Sequence, residues 1–352
     1  AYGAPTVTTA ARKNRPARWD DYLRIARLVQ ASDLLHLNGG ILVQPPELDP
    51  QVASLAMTYA ALILSDKPLL GIQGEAETVR RIMALGEIAS GGSTPFRQAP
   101  CFLFLVSVLS PLQMDAQALA TLRVCAECHQ PVIVTPGLMF GSTGPITPMG
   151  SLVQANAEFL AGLCIAQTLK PGLPVVYGCL GSPADLRTGG LSLASPSRYT
   201  FKQMATAMAE TYDLPNRGIG AVTDAARVSV QSGYEAMQAL SSDFAQRTSV
   251  VLHAAGILQR FASFSFEQFM VDLEILRMLN TAAAPPQVGA ADLALDVIRD
   301  VGPGGEFLTH PHTLKHCRNL LFAPRLSPPR DGDPAAIDAL IQKELADLED
   351  QY

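Results

Sequence analysis

Short runs of apolar residues recur along the chain, and each run is followed by a segment whose apolar residues fall at helical spacing. Successive runs begin about 30 to 43 residues apart. After the fourth run, for example, the apolar residues between Leu152 and Cys164 lie on one side of a helix. The pattern predicts repeated strand–helix units, with strands at residues 34–38, 69–73, 102–107, 132–135, 175–178, 218–222 and 250–253.

Strands that are apolar throughout and alternate with helices are typical of a parallel sheet buried on both faces. Seven such units favour an α/β fold, a (β/α)8 TIM-type barrel with a C-terminal helical extension, and we expect the eighth strand to precede Ala1. A doubly wound open sheet is the alternative. Its usual Gly-x-Gly-x-x-Gly nucleotide fingerprint does not follow any of the predicted strands.

The composition changes after Phe322. Four prolines and a glycine follow, which predicts a linker; they are Pro324, Pro328, Pro329, Gly332 and Pro334. Beyond them, five apolar residues share one helical face and predict a terminal amphipathic helix; they are Ile337, Leu340, Ile341, Leu345 and Leu348. We therefore expect a barrel domain over residues 1–322, with part of its N-terminal region missing from this sequence, and a linker and helix over residues 323–352.

Composition and charge narrow the function classes. The chain is 48% hydrophobic and 16% charged, the reverse of a disordered composition. Its formal charge of −6 and a single short basic run, Arg12 to Arg18, argue against nucleic acid as a partner. The apolar stretches are shorter than the roughly 20 residues of a membrane helix. No export signal is visible and the six cysteines are dispersed, so we expect a cytoplasmic protein without contact to a membrane.

The chemistry of such barrels lies at the carboxyl ends of the strands, and this rule selects the candidate residues. His253 ends the last apolar run and could position or exchange a proton. It could equally be a structural histidine. Glu75 and Asp224 follow different strands and could converge on a cationic ligand, although Asp224 also suits a helix N-cap. Gln73 ends the second predicted strand.

Two short motifs carry weaker signals. The glycine-rich loop around Ser142 and Thr143 lacks the Lys-Ser/Thr ending of a phosphate loop and is typical of a tight turn whose hydroxyls can bind ligand or backbone. Cys125, Cys128 and His129 have the spacing of a c-type haem attachment site. Because they end a predicted helix at residues 116–127, we interpret this spacing as coincidence.

Three histidines near the C-terminus raise a separate hypothesis. His310, His312 and His316 could bind zinc or another transition metal, as in metal-dependent barrel hydrolases. In those enzymes the His-x-His pair normally ends an early strand, whereas here it follows the last one. A serine hydrolase is not indicated, because no Gly-x-Ser-x-Gly elbow is present.

An ordered set of motifs over residues 35–320 resembles the trimethylamine methyltransferase family. The set comprises Ser110-Pro-Leu-Gln113, Gly141-Ser-Thr-Gly-Pro145, Asn156-Ala-Glu158, Pro174-Val-Val-Tyr177-Gly178, Asp185-Leu-Arg187-Thr-Gly189, Thr223-Asp224-Ala225, Gly233-Tyr-Glu235, His253-Ala-Ala-Gly256, Ala294 to Arg299, Gly302-Pro-Gly-Gly305 and His310-Pro-His312-Thr313. The resemblance implies a barrel that transfers a methyl group from a methylated amine to the cobalt of a separate corrinoid protein. Compared with the family, the chain lacks about the first hundred residues and is shortened between Leu321 and Pro334.

The sequence contains no pyrrolysine, so it resembles the branch that acts on quaternary amines such as glycine betaine. The resemblance then implies a corrinoid carried by a cognate protein partner, no tightly bound metal, and a homo-oligomer. For this chemistry we expect three of the residues selected at the strand ends, His253, Glu75 and Asp224, to act in catalysis. The expected substrate-binding residues are Gln73, Phe140, Ser142, Thr143, Tyr177, Arg187, His310 and His312. The alternatives are a catalytically silent barrel that binds a methylated amine or the corrinoid partner, and the metal-dependent hydrolase described above.

Overall fold

The structure is a computed structural model that describes residues 3–9, 11, 13–71, 73–185, 189–285, 288–327 and 335–352. The strands are β1 (Thr6–Thr8), β2 (Asn14–Pro16), β3 (Asn38–Gly39), β4 (Leu69–Gly71), β5 (Phe102–Val108), β6 (Val132–Phe140), β7 (Val175–Tyr177), β8 (Leu180–Asp185), β9 (Gly190–Leu191), β10 (Arg217–Gly218), β11 (Val250–Val251), β12 (Ile257–Leu258) and β13 (Ser263–Ser265).

Helices follow most of these strands. They are α1 (Trp19–Ala31), α2 (Pro50–Leu64), α3 (Ala76–Ala89), α4 (Ser93–Gln98), α5 (Ala116–Cys128), α6 (Pro148–Leu169), α7 (Pro196–Thr211), α8 (Val230–Ala245), α9 (Phe266–Ala283), α10 (Leu295–Val301), α11 (Pro311–Leu320) and α12 (Ala335–Glu349).

Seven parallel strands form the barrel wall, and each corresponds to one predicted run. The wall runs β3-β4-β5-β6-β7, crosses to β10 through a bridge between Tyr177 and Asn216, and ends at β11. Some bounds differ from the prediction. The first strand begins at Asn38 rather than residue 34, and β6 continues to Phe140, five residues beyond its predicted end.

The wall is open between β11 and β3. Among the described residues, no strand pairs with the outer edge of either one, and a cavity of about 480 Å³ lies between them. At the carboxyl ends of the strands the gap is bridged, because β1 pairs in parallel with β13 and Ala4 bridges Val43 beyond β3. The predicted strand before Ala1 lies outside the described residues.

Alternation along the strands divides the core into two parts. Side chains on one face pack against the surrounding helices, among them Phe104, Val134 and Tyr177. Those on the other face fill the barrel interior with a small apolar group that we call the plug, namely Leu70, Leu105, Ile133, Val176 and Leu252. The plug fills the barrel below its carboxyl end, where the functional residues of such barrels lie.

One helix, α6, is long and apolar enough to cross a membrane by length and composition. It packs against β6 as one of the barrel helices, and its residues Ala155 and Phe159 are fully buried. Its apolar character therefore reflects its place in the core.

The last fifth of the chain leaves the barrel and returns to it. Helices α10 and α11 contain no buried residue, and the segment around them, which we call the arm (residues 288–321), exposes many apolar side chains. The final helix, α12, packs against α1 and α9 and buries Ile341 and Leu345. The predicted linker falls largely on residues 328–334, which lie outside the described residues.

Candidate active site at the carboxyl ends of the strands

A polar layer lies directly above the plug. Ile133 points into the barrel, so Thr135, two residues further along β6, points inward as well. Thr135 is paired in register with Ser107 of β5, whose odd-numbered neighbours also face the interior. We call the carboxyl end of the barrel the mouth. The hydroxyl groups of Thr135 and Ser107 form its floor, which we call the mouth floor.

Arg217 adds a positive charge to the mouth floor. It is only 4% exposed, and its Nη1 donates a hydrogen bond to Thr135 Oγ1 at 3.2 Å. Thr135 also lies next to Gly178, where a Cβ atom would lie 2.4 Å from Thr135 Oγ1 and 2.3 Å from the Val134 carbonyl oxygen. Glycine at this position therefore allows the end of β7 to lie close to Val134 and Thr135 of β6.

Gln73 and Glu75, which follow the same strand, point in different directions. The Oε1 of Gln73 accepts a hydrogen bond from Ser107 N at 3.0 Å, so its amide lies at the mouth. Glu75 is exposed at the beginning of α3, and its Oε1 accepts from Gln117 Nε2 at 3.0 Å on the neighbouring helix. Glu75 therefore faces the side of the barrel.

Asp224 joins loops that surround the mouth. Its Oδ1 accepts from Leu193 N at 3.1 Å and is 3.3 Å from Arg260 Nε, and its side chain is 12% exposed. The N-cap interpretation of Asp224 is wrong, because α8 begins only after Ser229, which caps that helix by accepting from Ser232 N. Glu75 and Asp224 thus form separate contacts rather than one carboxylate pair.

His253 lies at the mouth next to an aromatic ring. Its backbone is left-handed, with φ of 52°, and its imidazole meets the Phe261 ring edge-on at 4.8 Å. Burial of the ring is the largest cause that lowers the pKa of His253 well below its ordinary value, and the positive charges of Arg217 and Arg198 act in the same direction. The imidazole is therefore neutral at pH 7 and suited to hydrogen bonding and packing.

Two predicted aromatic contacts lie away from the mouth. Phe140 is 1% exposed and packs against Phe201 of α7. Tyr177 is also 1% exposed, packs against Phe159 of α6 and donates its hydroxyl to Asn156 Oδ1 at 3.1 Å. Both rings sit between the sheet and the helices, which gives them a packing role and counts against substrate contact.

The loop after β6 uses its polar groups internally. Thr143 Oγ1 accepts from Met139 N at 2.9 Å, and the Thr143 carbonyl oxygen accepts from Gln154 Nε2 at 2.9 Å. Ser142 is exposed at the tip of this tight turn. Arg187, the predicted carboxylate ligand, lies outside the described residues.

The predicted histidine cluster sits in the arm, on and next to α11. His310 Nδ1 accepts from His312 N at 3.1 Å as the N-cap of α11, and its Nε2 lies 3.0 Å from Asp300 Oδ2. The ring centroids of His312 and His316 are 4.7 Å apart, and the rings are tilted by 44° relative to each other. Within the described part of the chain, no three His, Cys, Asp or Glu side chains are grouped as metal ligands, so the hydrolase hypothesis gains no support.

Four buried carboxylates, to which the sequence analysis assigned no function, hold the loops around the mouth. Glu158 of α6 accepts from Ser110 Oγ and Leu112 N, at 2.7 and 2.8 Å. Glu235 of α8 accepts from Thr223 Oγ1 and Asp224 N. Each carboxylate lies on a barrel helix and reaches a loop that follows a strand. An acidic residue within an apolar helical face is the sequence signal that could have revealed them.

The other two carboxylates, Asp243 and Asp272, accept hydrogen bonds from backbone groups that follow β10 and β11, near the gap between β11 and β3. Asp243 accepts from Gly220 N at 3.2 Å and lies 3.8 Å from Lys202 Nζ. Asp272 accepts from Gly256 N and Gln268 Nε2, both at 2.7 Å. Burial raises the pKa of the fully buried Asp272 well above its ordinary value.

Replacing Asp272 with asparagine should remove a pH dependence of stability. Because the pKa of Asp272 is higher in the folded state than in the unfolded state, the folded state binds the proton more strongly, and stability falls as pH rises above about 4. We expect Asp272→Asn to gain stability relative to the wild type between pH 5 and pH 8. Urea unfolding at both pH values measures this. A stability difference that does not change with pH would contradict the assignment.

The outer edge of the mouth carries exposed apolar side chains. All of them follow strands β5, β6 or β10, and we call the set the rim: Leu109, Leu112, Ile146, Met149, Val153, Val230 and Tyr234. Val230 is 87% exposed. Exposed apolar residues that are rimmed by polar groups are typical of a surface that docks another protein.

Comparisons with known proteins agree with these observations. The model of the family described as trimethylamine methyltransferase (MTTB) matches residues 1–331. The glycine betaine methyltransferase of Desulfitobacterium hafniense is 36% identical over 345 residues, which cover 98% of this chain and 72% of that protein. The proline betaine:corrinoid methyltransferase of Eubacterium limosum is 28% identical and covers 96% of this chain and 71% of its own length.

A solved structure supports the fold. The crystal structure of the monomethylamine methyltransferase of Methanosarcina barkeri superposes with a TM-score of 0.53 at 13% identity, over 99% of this chain and 72% of that one. At this identity the similarity concerns the fold alone. The predicted TIM-type barrel is confirmed.

Proposed function

The chain belongs to the trimethylamine methyltransferase family, and we propose that it moves a methyl group from a small quaternary amine, such as glycine betaine, to the Co(I) of a corrinoid carried by a separate protein. The observation that carries this proposal is the family match over residues 1–331 together with a polar mouth at the carboxyl end of the barrel. Relatives named for glycine betaine and proline betaine support a quaternary amine as the methyl donor.

The proposed reaction needs little acid–base chemistry. Co(I) supplies an electron pair to the methyl carbon, the C–N bond breaks, and its electron pair stays on nitrogen, so that a neutral tertiary amine leaves. No proton moves in this step. The protein has to hold the amine in line with the acceptor and exclude water. A neutral His253 and the amide of Gln73 suit this task, because they hydrogen-bond without adding charge.

His253 and Phe261 form an aromatic pair at the mouth. This pair is a better candidate for packing against the methylammonium group than the predicted Phe140 and Tyr177. Phe261 and His253 meet there at 4.8 Å, and aromatic faces attract quaternary ammonium ions. The contacts of Asp224 with protein groups make it a positioning residue in this proposal, whereas Glu75 faces the side of the barrel and takes no part in it. Asp224 orders the loops around the mouth through Leu193 and Arg260.

We propose that the rim docks the corrinoid protein. Replacing the 87% exposed Val230 with aspartate should raise KM for a corrinoid bound to its carrier protein about tenfold, because a charge would be buried at the interface. An aspartate in the first turn of α8 is compatible with the helix dipole, so folding is preserved. Steady-state kinetics with the carrier protein measures this effect.

Ile88 offers a matched control. It is 77% exposed in the last turn of α3. This end of the helix lies at the amino ends of the strands, opposite the mouth. Ile88→Asp should leave KM unchanged, and both variants should methylate a free corrinoid at the wild-type rate. Equal KM values for Val230→Asp and the wild type with the carrier protein would contradict docking at the rim.

We propose that the enzyme is cytoplasmic and that it forms homo-oligomers. The arm supports the second of these points. It exposes Leu295, Leu308 and Leu314 by 61%, 73% and 65%, and neither of its helices buries a residue. Such a segment gains stability by packing against another copy of the chain. Light scattering should show an oligomer for the wild type and a smaller species for Leu308→Glu/Leu314→Glu. Identical masses would contradict the proposal.

The proposed function is tested by mixing the protein with a Co(I) corrinoid, free or on a carrier, and a panel of methylated amines. Absorbance should report methyl-Co(III) with a quaternary amine such as glycine betaine, and no change when the amine is omitted. If no amine in the panel methylates cobalt although the protein is folded, the catalytically silent barrel replaces the enzyme.

A further inference from the structure

The loop after β5 presents a leucine to solvent in an unusual backbone conformation. Leu112 has a left-handed backbone, with φ of 57°, and its side chain is 68% exposed. A residue with a Cβ atom is strained in this conformation and keeps it only where the surrounding structure fixes it, most often at functional sites. An exposed leucine contributes little to the core, so the strain at Leu112 serves something other than packing within the chain.

The ends of this loop are joined by two hydrogen bonds. Leu109 N donates to the Gln113 carbonyl oxygen and Gln113 N donates to the Leu109 carbonyl oxygen, both at 2.8 Å. We call residues 109–113 the β5 loop. Leu109 and Leu112 are both exposed on it. The two leucines are therefore ordered before any partner binds.

A buried carboxylate of α6 fixes the β5 loop. Glu158 is 2% exposed, and its Oε1 accepts from Leu112 N at 2.8 Å and from Gln154 Nε2 at 2.9 Å. Its Oε2 accepts from Ser110 Oγ at 2.7 Å. Hydrogen bonds to a carboxylate are stronger than those between neutral groups. Because one of them is made to the backbone amide of the left-handed residue itself, Glu158 offsets the strain at Leu112.

The same helix also holds the next loop along the wall. Gln154 Nε2 donates to the Thr143 carbonyl oxygen at 2.9 Å, and Ser151 Oγ donates to the Pro145 carbonyl oxygen at 2.7 Å. The first half of α6 therefore fixes two neighbouring loops. Five residues of the rim lie on these loops or on this part of α6, namely Leu109, Leu112, Ile146, Met149 and Val153.

This side of the rim carries no charged side chain. Residues 102–114 and 141–157 contain no Asp, Glu, Lys or Arg. An uncharged apolar surface favours burial against another apolar surface, since no ionic group has to lose its water. In the proposed function the methyl acceptor is carried by a separate protein and has to reach the mouth, which these loops border. The corrinoid carrier is therefore the partner that fits this surface.

We propose that the β5 loop is a preformed docking element for the corrinoid carrier, in which Leu112 contacts the carrier and Glu158 is the positioning residue that holds Leu112 in its binding conformation. This inference rests on the proposed function. A side chain that is already ordered loses less conformational entropy on binding, which strengthens the association. The strain at Leu112 thereby serves the contact between the two proteins.

The proposal is tested by the affinity for a carrier protein loaded with cobalamin, measured by calorimetric titration without an amine, so that no turnover occurs. Leu112→Ala should weaken binding about tenfold, because it removes most of the apolar side chain. Leu112→Gly should weaken binding at least as much without lowering the midpoint of urea unfolding, since glycine adopts a left-handed backbone without strain. Loss of affinity without loss of stability separates docking from a structural role.

Two substitutions of Glu158 separate its hydrogen bonds from its charge. In Glu158→Gln the amide oxygen can replace Oε1 as the acceptor, and the amide nitrogen can donate to the hydroxyl of Ser110, so the affinity should stay within about twofold of the wild type. Glu158→Leu removes all three hydrogen bonds and should weaken binding about tenfold. In steady-state methyl transfer this loss should raise KM for the loaded carrier and leave kcat unchanged. The Leu112 variants decide the question even if Glu158→Leu does not fold.

Leu169→Ala is the matched control. Leu169 is an exposed leucine at the last residue of α6, the end of the helix that leads into the amino end of β7. Its replacement should change neither the affinity for the loaded carrier nor KM.

Three results would overturn the inference: unchanged affinity in both Leu112 variants, an equal loss in Glu158→Gln and Glu158→Leu, or wild-type protein that does not bind the loaded carrier. Each is separable from a failure of the proposed function. Methylation of free Co(I) cobalamin by the wild type would retain the enzyme class and reject the role of the β5 loop, whereas the proposed function fails if neither free nor carrier-bound cobalt is methylated.

Discussion

Replacing Gly178 with alanine should destabilise the protein by about 3 kcal/mol and lower methyl transfer about 100-fold. A Cβ at this position would lie 2.3 Å from the Val134 carbonyl oxygen and 2.4 Å from Thr135 Oγ1, so β6 and β7 would have to separate. The same movement would displace Arg217 from Thr135. Urea unfolding and the rate of cobalt methylation measure the two effects.

Gly233 provides the control for this substitution. It lies in α8, and nothing would lie within 4 Å of a Cβ added there. Gly233→Ala should raise stability by about 0.5–1 kcal/mol, because alanine is the better helix former, and should leave the rate unchanged. Wild-type stability and activity for Gly178→Ala would mean that the strands around the mouth adapt, and the geometry of the mouth floor would then need revision.

Replacing Glu235 with leucine should cost about 3 kcal/mol of stability and most of the activity. The carboxylate is 5% exposed and accepts hydrogen bonds from Thr223 Oγ1, Asp224 N and Gln231 Nε2. Without it, buried donors lose their acceptor, each at a cost of roughly 1 kcal/mol or more. The loop that carries Asp224 would also lose its support. Chemical unfolding and methyl-transfer rates measure the loss.

The exposed Glu210 of α7 is the matched comparison. Glu210→Leu should change stability by less than about 0.5 kcal/mol, as expected of a surface position. If Glu235→Leu and Glu210→Leu have the same stability, the buried hydrogen bonds of Glu235 contribute nothing and the proposed role of the buried carboxylates is wrong.

The barrel could be predicted because apolar runs and helical spacing alternate so regularly. Each predicted strand has its counterpart in the wall, and the predicted helix at residues 116–127 is α5, Ala116–Cys128. The family resemblance, drawn from ordered motifs, is confirmed by the match over residues 1–331. Local pattern was sufficient here because each unit folds within about 40 residues.

The direction of side chains could not be predicted in the same way. Both faces of these strands are apolar, so the sequence does not distinguish Tyr177, which packs against α6, from Val176, which lies in the plug. Phe140 was assigned to the mouth for the same reason. Arg217 was not predicted as a site residue, because it precedes the apolar run that predicts a strand from residue 218.

The buried carboxylates were missed for a different reason. Glu158 and Glu235 lie on helices, whereas the rule used to select candidates considers residues that follow strands. Their contacts join loops that are 48 and 12 residues away in sequence. Such partners become visible only when the helices are packed against the wall.

The most direct test of the account is the stoichiometry of a single turnover with glycine betaine. The protein is incubated with excess Co(I) corrinoid on its carrier and a limiting amount of methyl-labelled glycine betaine. We predict one methyl-Co(III) and one dimethylglycine for each glycine betaine consumed. Loss of glycine betaine without labelled methyl-Co(III), or intact glycine betaine in the presence of folded protein and Co(I), would contradict the account.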